Sequence, residues 1–310
     1  MRAYLVDLKN NIPFLYYLWN LQQWKKGIKS LNNFTDEDCI LKLYSSFSGK
    51  TPNLSKPVTF SEKLQWLKLN YHNPMMTVCA DKYEVRSYLS DKGYEDILGE
   101  IIGVYDKVEE IQLDSLPEKF VIKATHGSGW NLICTDKSKI NWFWWRKIFK
   151  IWLKNNIFWP GREWPYKNMK PRLIAEKYLT DKSGQLMDYK FFCFNGKAHF
   201  IQANKGRGSI DHAQNFYDLE WNIQPFGKDL KPRPDIEIEA PENLVRMIQI
   251  AEDLAGDFPF VRVDFYEVED KIIFGEMTFY PKSGLPDFNP IEYDTILGEK
   301  LKLPKLHGDA

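Results

Sequence analysis

The residues best placed to do chemistry lie between 259 and 284, PFVRVDFYEVEDKIIFGEMTFYPKSG. Val261, Val263 and Phe265 alternate with Arg262, Asp264 and Tyr266, the period of two that marks a half-buried strand. A turn over Glu267–Lys271 leads to a second strand, Ile272 to Phe279, where strict alternation puts Ile272, Phe274, Glu276 and Thr278 on one face. If Asp264 sits opposite Glu276, then Arg262 falls opposite Thr278 and the four polar side chains share a face. Carboxylates placed directly opposite each other repel unless a cation joins them. A hard cation such as Mg²⁺ suits a carboxylate pair beside substrate phosphates. Taken alone, the same stretch also reads as the solvated face of an ordinary hairpin.

Two further stretches could meet phosphate. Residues 119–125, KFVIKAT, form a strand that runs into HGSGWN (126–131) and a second strand, LICT (132–135). Lys123 supplies a point charge, and the small-residue turn Gly127, Ser128, Gly129 lets backbone N–H groups approach phosphate oxygens. The spacing is not that of a Walker A loop, and most such turns are plain hairpins. Downstream, DYKFFCFNGKAHFIQAN (188–204) reads as two strands around Asn195-Gly196, a strong hairpin signal, with Asp188, Lys190, Phe192 and Phe194 on one face. The segment 205–221 carries Lys205 and Arg207 and reads as a mobile loop over a site or as plain surface.

Composition bounds what these residues can serve. The chain has 310 residues, 44% apolar and 27% charged, enough for a sizeable core in two domains or one with lobes. A formal net charge of zero argues against nucleic acid as the main partner. Cys39, Cys79, Cys134 and Cys193 form no C-x-x-C pair, so reduced, packed thiols of a cytoplasmic protein are expected. No secretory signal is visible. The apolar patch Ile12–Leu21 is too short to span a bilayer. A helix packed on the body is favoured there; with Lys25, Lys26 and Lys29 following, a membrane-surface helix is the alternative.

The elements that must position these residues are mostly legible. Residues 1–60 read as largely helical, with Thr35 capping a helix that begins Asp36-Glu37-Asp38. Thr59 or Ser61 caps FSEKLQWLKLN, and residues 75–92 read as one further helix ended by Gly93. Ile97–Val104 and RLIAEKYL (172–179) read as strands, and residues 241–256 as a helix from Pro to Gly. The aromatic cluster Trp142–Trp159, with Trp145, Phe149 and Trp152 on one stripe, reads as a helix packed on a sheet. The alternative there is a sugar-stacking or partner-binding surface.

Six blocks occur in one order: TFSEKLQWLKL, ADKYEVRSYL, LPEKFVIKATHGSGWN, PRLIAEKYL, DYKFFCFNGK and VRVDFYEVEDKIIFGEMTFYPKSG. Together, over roughly residues 40–304, they resemble the ATP-grasp superfamily. More closely, they are similar to its TupA-like family, found with bacterial surface-polysaccharide and teichuronopeptide synthesis. The resemblance implies an α+β ATP-grasp fold with two lobes clasping ATP and a helical N-terminal region. The expected divisions are 1–75 helical, 76–116 a preceding segment, and 117–304 the ATP-grasp domain, with lobes of about 117–180 and 181–304.

The resemblance also implies roles. Lys123 would contact the α- and β-phosphates, and Gly127, Ser128 and Gly129 would form the loop over them. Glu176, Lys177 and Leu179 would meet adenine or ribose at the hinge. Lys190 would be a second phosphate lysine, Asp264 and Glu276 would bind Mg²⁺, and Arg262 would stabilise charge at the transferring phosphate. Thr278 stands where the pattern has Asn, so a second Mg²⁺ would depend on Glu276 bridging two ions. The implied activity is ATP- and Mg²⁺-dependent ligation of a carboxylate to an amine through an acylphosphate, on a surface polysaccharide or its precursor. Loops 126–131 and 205–215 would close to exclude water. The implied location is cytoplasmic, with peripheral attachment to a membrane-bound assembly as a further expectation for residues 1–30. Rival readings are a glycosyltransferase (its D-x-D only at Asp36-Glu37-Asp38), a non-catalytic glycan- or partner-binding module, and a kinase that stops at phosphoryl transfer.

Overall fold

A computed structural model describes residues 12–30, 34–180, 186–206, 212–228 and 230–305. The expectations for residues 1–11, and for 207–211 of the supposed loop over the site, fall outside these residues.

Three helices open the described chain: α1 (Pro13–Ser30), α2 (Asp36–Ser48) and α3 (Phe60–Asn70). Thr35 and Thr59 cap α2 and α3 with reciprocal capping boxes to Asp38 and Glu62, satisfying N–H groups the first turn leaves orphaned. The single helix expected over 75–92 is two, α4 (Met75–Ala80) and α5 (Val85–Asp91). Asp81 separates them: its carboxylate accepts from the N–H groups of Tyr83 and Glu84, a local bond that competes with helix continuation.

Two antiparallel sheets follow. The first has four strands, β1 (Ile101–Tyr105), β2 (Phe120–Ala124), β3 (Asn131–Cys134) and β4 (Leu173–Lys177), in the order β1-β4-β2-β3. Helix α6 (Trp142–Lys154) covers it, and Trp145, Ile148, Phe149 and Trp152 are buried with Phe120, Ile122 and Ala124 in one core. The aromatic cluster is therefore mostly packing, as favoured. A short helix, α7 (Phe158–Gly161), follows α6.

The second sheet has five strands: β5 (Met187–Phe194), β6 (Lys197–Lys205), β7 (Ala213–Tyr217), β9 (Phe260–Val268) and β10 (Lys271–Thr278). The order is β10-β9-β5-β6-β7, and β8 (Gly227–Lys228) pairs separately with β11 (Phe288–Asn289). Asn195 and Gly196 make the β5–β6 turn with φ of 48° and 79°, as that dipeptide allows at low steric cost. One face of the sheet packs on α8 (Leu244–Ala255) through Cys193, Val261 and Val263 in the larger core. The other face is divided. Its aromatic end, Phe194 and Phe260, meets Phe60 of α3 at ring separations of 5.6 and 4.8 Å. Its opposite end is polar. Helix α9 (Tyr293–Lys300) is tied to α3 where Asp294 accepts from the Ser61 N–H at 2.9 Å.

The packing cuts across the expected 76–116 segment. Residues of α4 and α5 join the larger core, whereas β1 completes the four-stranded sheet.

Candidate functional site

The β9–β10 hairpin pairs Glu276 with Asp264 and Thr278 with Arg262, the register supposed from the sequence. One detail of that reading is corrected. Ile272 and Phe274 do not share the polar face with Glu276 and Thr278. Phe274 pairs with Phe265, and one extra residue, Gly275, intervenes before Glu276 meets Asp264. This β-bulge flips the sidedness, so Ile272 and Phe274 pack with the core and Glu276 turns to the site. An isolated Gly within a strand was the available signal. A Cβ on Gly275 would lie 2.9 Å from the Asp264 carbonyl oxygen. Gly275→Ala is therefore expected to destabilise the hairpin by about 1–3 kcal/mol, through forced backbone shifts. Urea unfolding measures this, and an unchanged midpoint would remove the bulge from the account.

The polar face is a dense ion network. Arg262 holds Asp264 in a two-pronged grip, Nε to Oδ1 and Nη2 to Oδ2, each 2.7 Å. Lys190, opposite Asp264 on β5, donates to Asp264 at 2.5 Å and to Asp188 at 2.8 Å. Arg262 Nη2 also reaches Glu276 and the Thr278 hydroxyl, both at 3.2 Å. Asp264 is buried, and burial pushes its carboxyl up against the pull of Arg262 and Lys190. Glu276 differs: its side chain is 41% exposed and open to the site. Desolvation alone would raise it, but Lys82, Arg262, Lys190 and Lys123 together outweigh that and hold it at about 2. On the neighbouring strands Asn204 Nδ2 and Gln214 Oε1 are buried without a hydrogen-bond partner among the described residues.

The facing wall comes from the four-stranded sheet. Lys123 on β2 forms an ion pair with Glu176 on β4. The turn after β2 is held more firmly than a free lid. The Trp130 ring lies so close over Gly127 that a Cβ there would sit 2.2 Å from it. His126 is buried, with its Nε2 2.9 Å from the Trp152 carbonyl. Only Ser128 and Gly129 are exposed at the tip, with Gly129 at φ 72°. Of the hinge residues, Lys177 turns its side chain outward to Glu100 at 3.1 Å, and Leu179 lies just beyond the end of β4.

The residue that sequence reasoning missed as a site member is Lys82. It sits in the break between α4 and α5. Its N–H donates to the Thr125 carbonyl at 3.3 Å, and its Nζ donates to the Gly127 carbonyl at 2.7 Å. Burial pushes its ammonium down; Lys123 adds to that, while Glu276, Asp81 and Glu176 oppose it. Lys82 thus feels both walls and links the helical region to the turn and the hairpin. Its signal was weak, since one lysine in an apparently continuous helix reads as surface. Tyr166 also borders the hairpin: burial raises its phenol, with Glu163 and Glu276 adding to the effect. The loop after β10 is clamped by Lys68 of α3, which donates to the Gly161 and Ser283 carbonyls at 2.8 Å each. Lys282 and Ser283 hold left-handed φ values of 53° and 56° there.

Other candidates fall away. Asp38 is spent on the Thr35 cap, and Asp36 lies 3.4 Å from the buried Arg162, so the D-x-D is structural. All four cysteines are unpaired, as expected. Among the described residues no three His, Cys, Asp or Glu side chains gather as a self-sufficient metal cage.

Among solved structures the chain is similar to the D-alanine–D-alanine ligase of Bacillus anthracis, with 19% identity over 69% of this chain and 60% of that one, at a TM-score of 0.39. It is also similar to the L-amino acid ligase of Bacillus licheniformis, with 11% identity, 74% and 50% coverage and a TM-score of 0.43. A third is the ATP-grasp ligase PsnB complexed with a phosphomimetic variant of its minimal precursor, Mg and ADP, with 13% identity, 78% and 65% coverage and a TM-score of 0.43. The chain thus spans about three fifths of the length of the first of these ligases. No curated protein matches it. The model of the TupA-like ATPgrasp family matches residues 62–302, which take in both walls of the site, Lys82 and the Lys68 clamp. With that match over well more than half its length, the chain belongs to the TupA-like ATP-grasp family and has the α+β fold that goes with it.

Proposed function

We propose that this protein is an ATP- and Mg²⁺-dependent ligase that joins a carboxylate to an amine through an acylphosphate. One observation carries the reading. Arg262 lies 3.2 Å from Glu276, which stands opposite Asp264, itself held by Arg262 and Lys190, and the charges of Lys82 and Lys123 from two further elements also act on Glu276. A polyphosphate and a hard metal ion need this donor set, with both charge signs within one cleft.

The residues fit both groups. Asp264 and Glu276, helped by the Thr278 hydroxyl, would hold Mg²⁺, with phosphate oxygens and water completing its shell. The metal would supply charge neutralisation at the phosphates. ATP is a substrate here. Lys123, Lys190 and the exposed tip Ser128-Gly129 would bind its phosphates. Arg262 and Lys82 would offset charge where the γ-phosphoryl group moves. A substrate carboxylate oxygen bonds to the γ-phosphorus as the bond to the ADP oxygen breaks. An amine then attacks the acyl carbon, the C–N bond forms, and inorganic phosphate leaves as the amine loses a proton. No protein nucleophile is needed, and the chain supplies positioning and exclusion of water.

The family setting suggests that acid and amine belong to a bacterial surface polysaccharide or its precursor, such as a uronic acid and an amino acid. The need for ATP would place the reaction in the cytoplasm. The test is calorimetric titration with a non-hydrolysable ATP analogue, with and without Mg²⁺, followed by ADP release across panels of acids and amines. Mg²⁺-dependent binding, and ADP release that requires both an acid and an amine, are the expected results. ADP release with the acid alone and a stable phosphorylated product would make it a kinase. Absence of nucleotide binding would sink the proposal.

A further inference from the structure

Helices α1 and α6 are far apart in sequence and lie side by side. Phe14 meets Trp144 at a ring separation of 4.8 Å, and Tyr16 meets Trp145 at 6.0 Å. Further along both helices, Trp152 Nε1 donates to Asn20 Oδ1 at 3.0 Å. Contacts that advance together along both chains mean the helices run parallel, so their N-terminal ends lie together.

Those ends share a character. On α1 the exposed apolar side chains are Phe14, Leu15 and Leu18, preceded by Ile12; beyond them Gln22 and Lys25 are exposed. On α6 the outward stripe runs Phe143, Lys147, Lys150, Lys154 at helical spacing, and Phe143 is 62% exposed. The pair therefore presents apolar side chains at one end and cations toward the other. Lys147 bridges the two, its ammonium 4.2 Å from the Phe143 ring centre and 4.7 Å from that of Trp144.

The charge is one-sided. By sequence, α1 carries Lys25, Lys26 and Lys29, and α6 carries Arg146, Lys147, Lys150 and Lys154; neither contains Asp or Glu. The chain as a whole is neutral. Lys150 forms an ion pair with Glu109 at 2.6 Å. Among the described residues no helix is long and apolar enough to cross a membrane.

We propose that the α1–α6 face is a docking surface for an anionic lipid bilayer. Phe14, Leu15, Leu18 and Phe143 would enter the headgroup boundary while the lysines meet anionic headgroups. Two features favour lipid over a protein partner. The cations are mostly long, flexible lysines suited to snorkelling, and the apolar side chains are few and scattered along an edge rather than lining a pocket. The docking itself does not depend on the ligase reading; where that reading holds, it would bring the site near membrane-bound acceptors.

The test is vesicle sedimentation of the full chain with phosphatidylglycerol/phosphatidylcholine vesicles and with phosphatidylcholine alone. Binding is expected to the anionic vesicles only and to fall with added salt. Lys150→Gln/Lys154→Gln is expected to weaken it roughly fivefold per charge removed. Phe14→Glu/Phe143→Glu is expected to weaken it by at least about tenfold. Thermal unfolding checks that each variant folds, and the lysine variant, altered only at exposed positions, decides the matter if the phenylalanine variant does not fold. Nucleotide-analogue binding in the same variants should be unchanged, which separates this face from the cleft. Equal binding to both vesicle types, or binding indifferent to the variants, overturns the proposal. So does concentration-dependent self-association that Phe143→Glu abolishes, which would assign the face to a second copy of the chain.

Discussion

Glu276→Gln is expected to lower ATP-dependent turnover by about 10²–10³-fold, the range for removing one preorganised charge from a transition state, while the protein stays folded. The two carboxylates of the hairpin have different duties. Asp264 is buried, and Arg262 and Lys190 already occupy its oxygens. Glu276 receives only the longer bonds from Arg262 and Thr278 and keeps an exposed edge. On the proposed reading it would be the open ligand, and its amide isostere keeps the volume but loses the charge on which four cations act. Asp264→Asn should behave differently. It leaves Arg262 and Lys190 buried without their shared partner, a loss of about 3–5 kcal/mol in folding stability when a buried pair is broken. Paired urea unfolding and ADP-release assays separate the two. Equal stability losses in both variants would refute this division of labour.

The same network explains why nucleotide and metal should bind together. Lys123, Lys190 and Arg262 are each engaged with a carboxylate. Phosphate would have to compete with Asp264 for Lys190 and Arg262, unless a divalent ion took over Asp264 and Glu276. On the proposed reading, Mg²⁺ would free Lys190 and Arg262 for phosphate as well as add charge of its own.

Lys82→Ala carries the second large effect, an expected fall of about 10²-fold in kcat/KM from the loss of one positioned charge. Lys82 leads the cations that hold Glu276 at about 2. Without it, the Glu276 carboxyl rises toward the ordinary glutamate value. The carboxylate works only when ionised. In the wild type the surrounding cations keep it ionised well into acid, whereas in the variant the acid limb of the pH–rate profile moves to higher pH. Lys82→Arg keeps the charge and should restore the acid limb, even if its broader head fits the Gly127 carbonyl poorly. A kcat/KM profile from pH 4 upward, on all three proteins, reads this directly. A variant that loses rate uniformly with no shift of the acid limb would reduce Lys82 to a tether for the turn.

The line between what the sequence could say and what it could not runs through particular residues. Alternation over 261–266 put Arg262 and Asp264 on one face, and supposing Asp264 opposite Glu276 placed Arg262 opposite Thr278, because a period of two fixes sidedness. Thr35 and Thr59 announced two helix starts, and Asn195-Gly196 a hairpin, because caps and tight turns are set by a few neighbouring atoms. Gly275 shows the limit of such rules: Glu276 reaches the site only through a bulge, and strict alternation would have left it beside Phe274. Lys82 lies further out of reach. Its role depends on a helix break made by the Asp81 carboxylate and on a turn more than forty positions away. The parallel seating of α1 on α6 was equally hidden, since nothing local couples Phe14 to Trp144. Local bonding and periodicity determined the elements, their caps and the chemistry of the hairpin. Only the tertiary structure decided which distant cations converge on Glu276 and which apolar side chains stay outside, because long-range charge and packing depend on distances that sequence spacing does not encode.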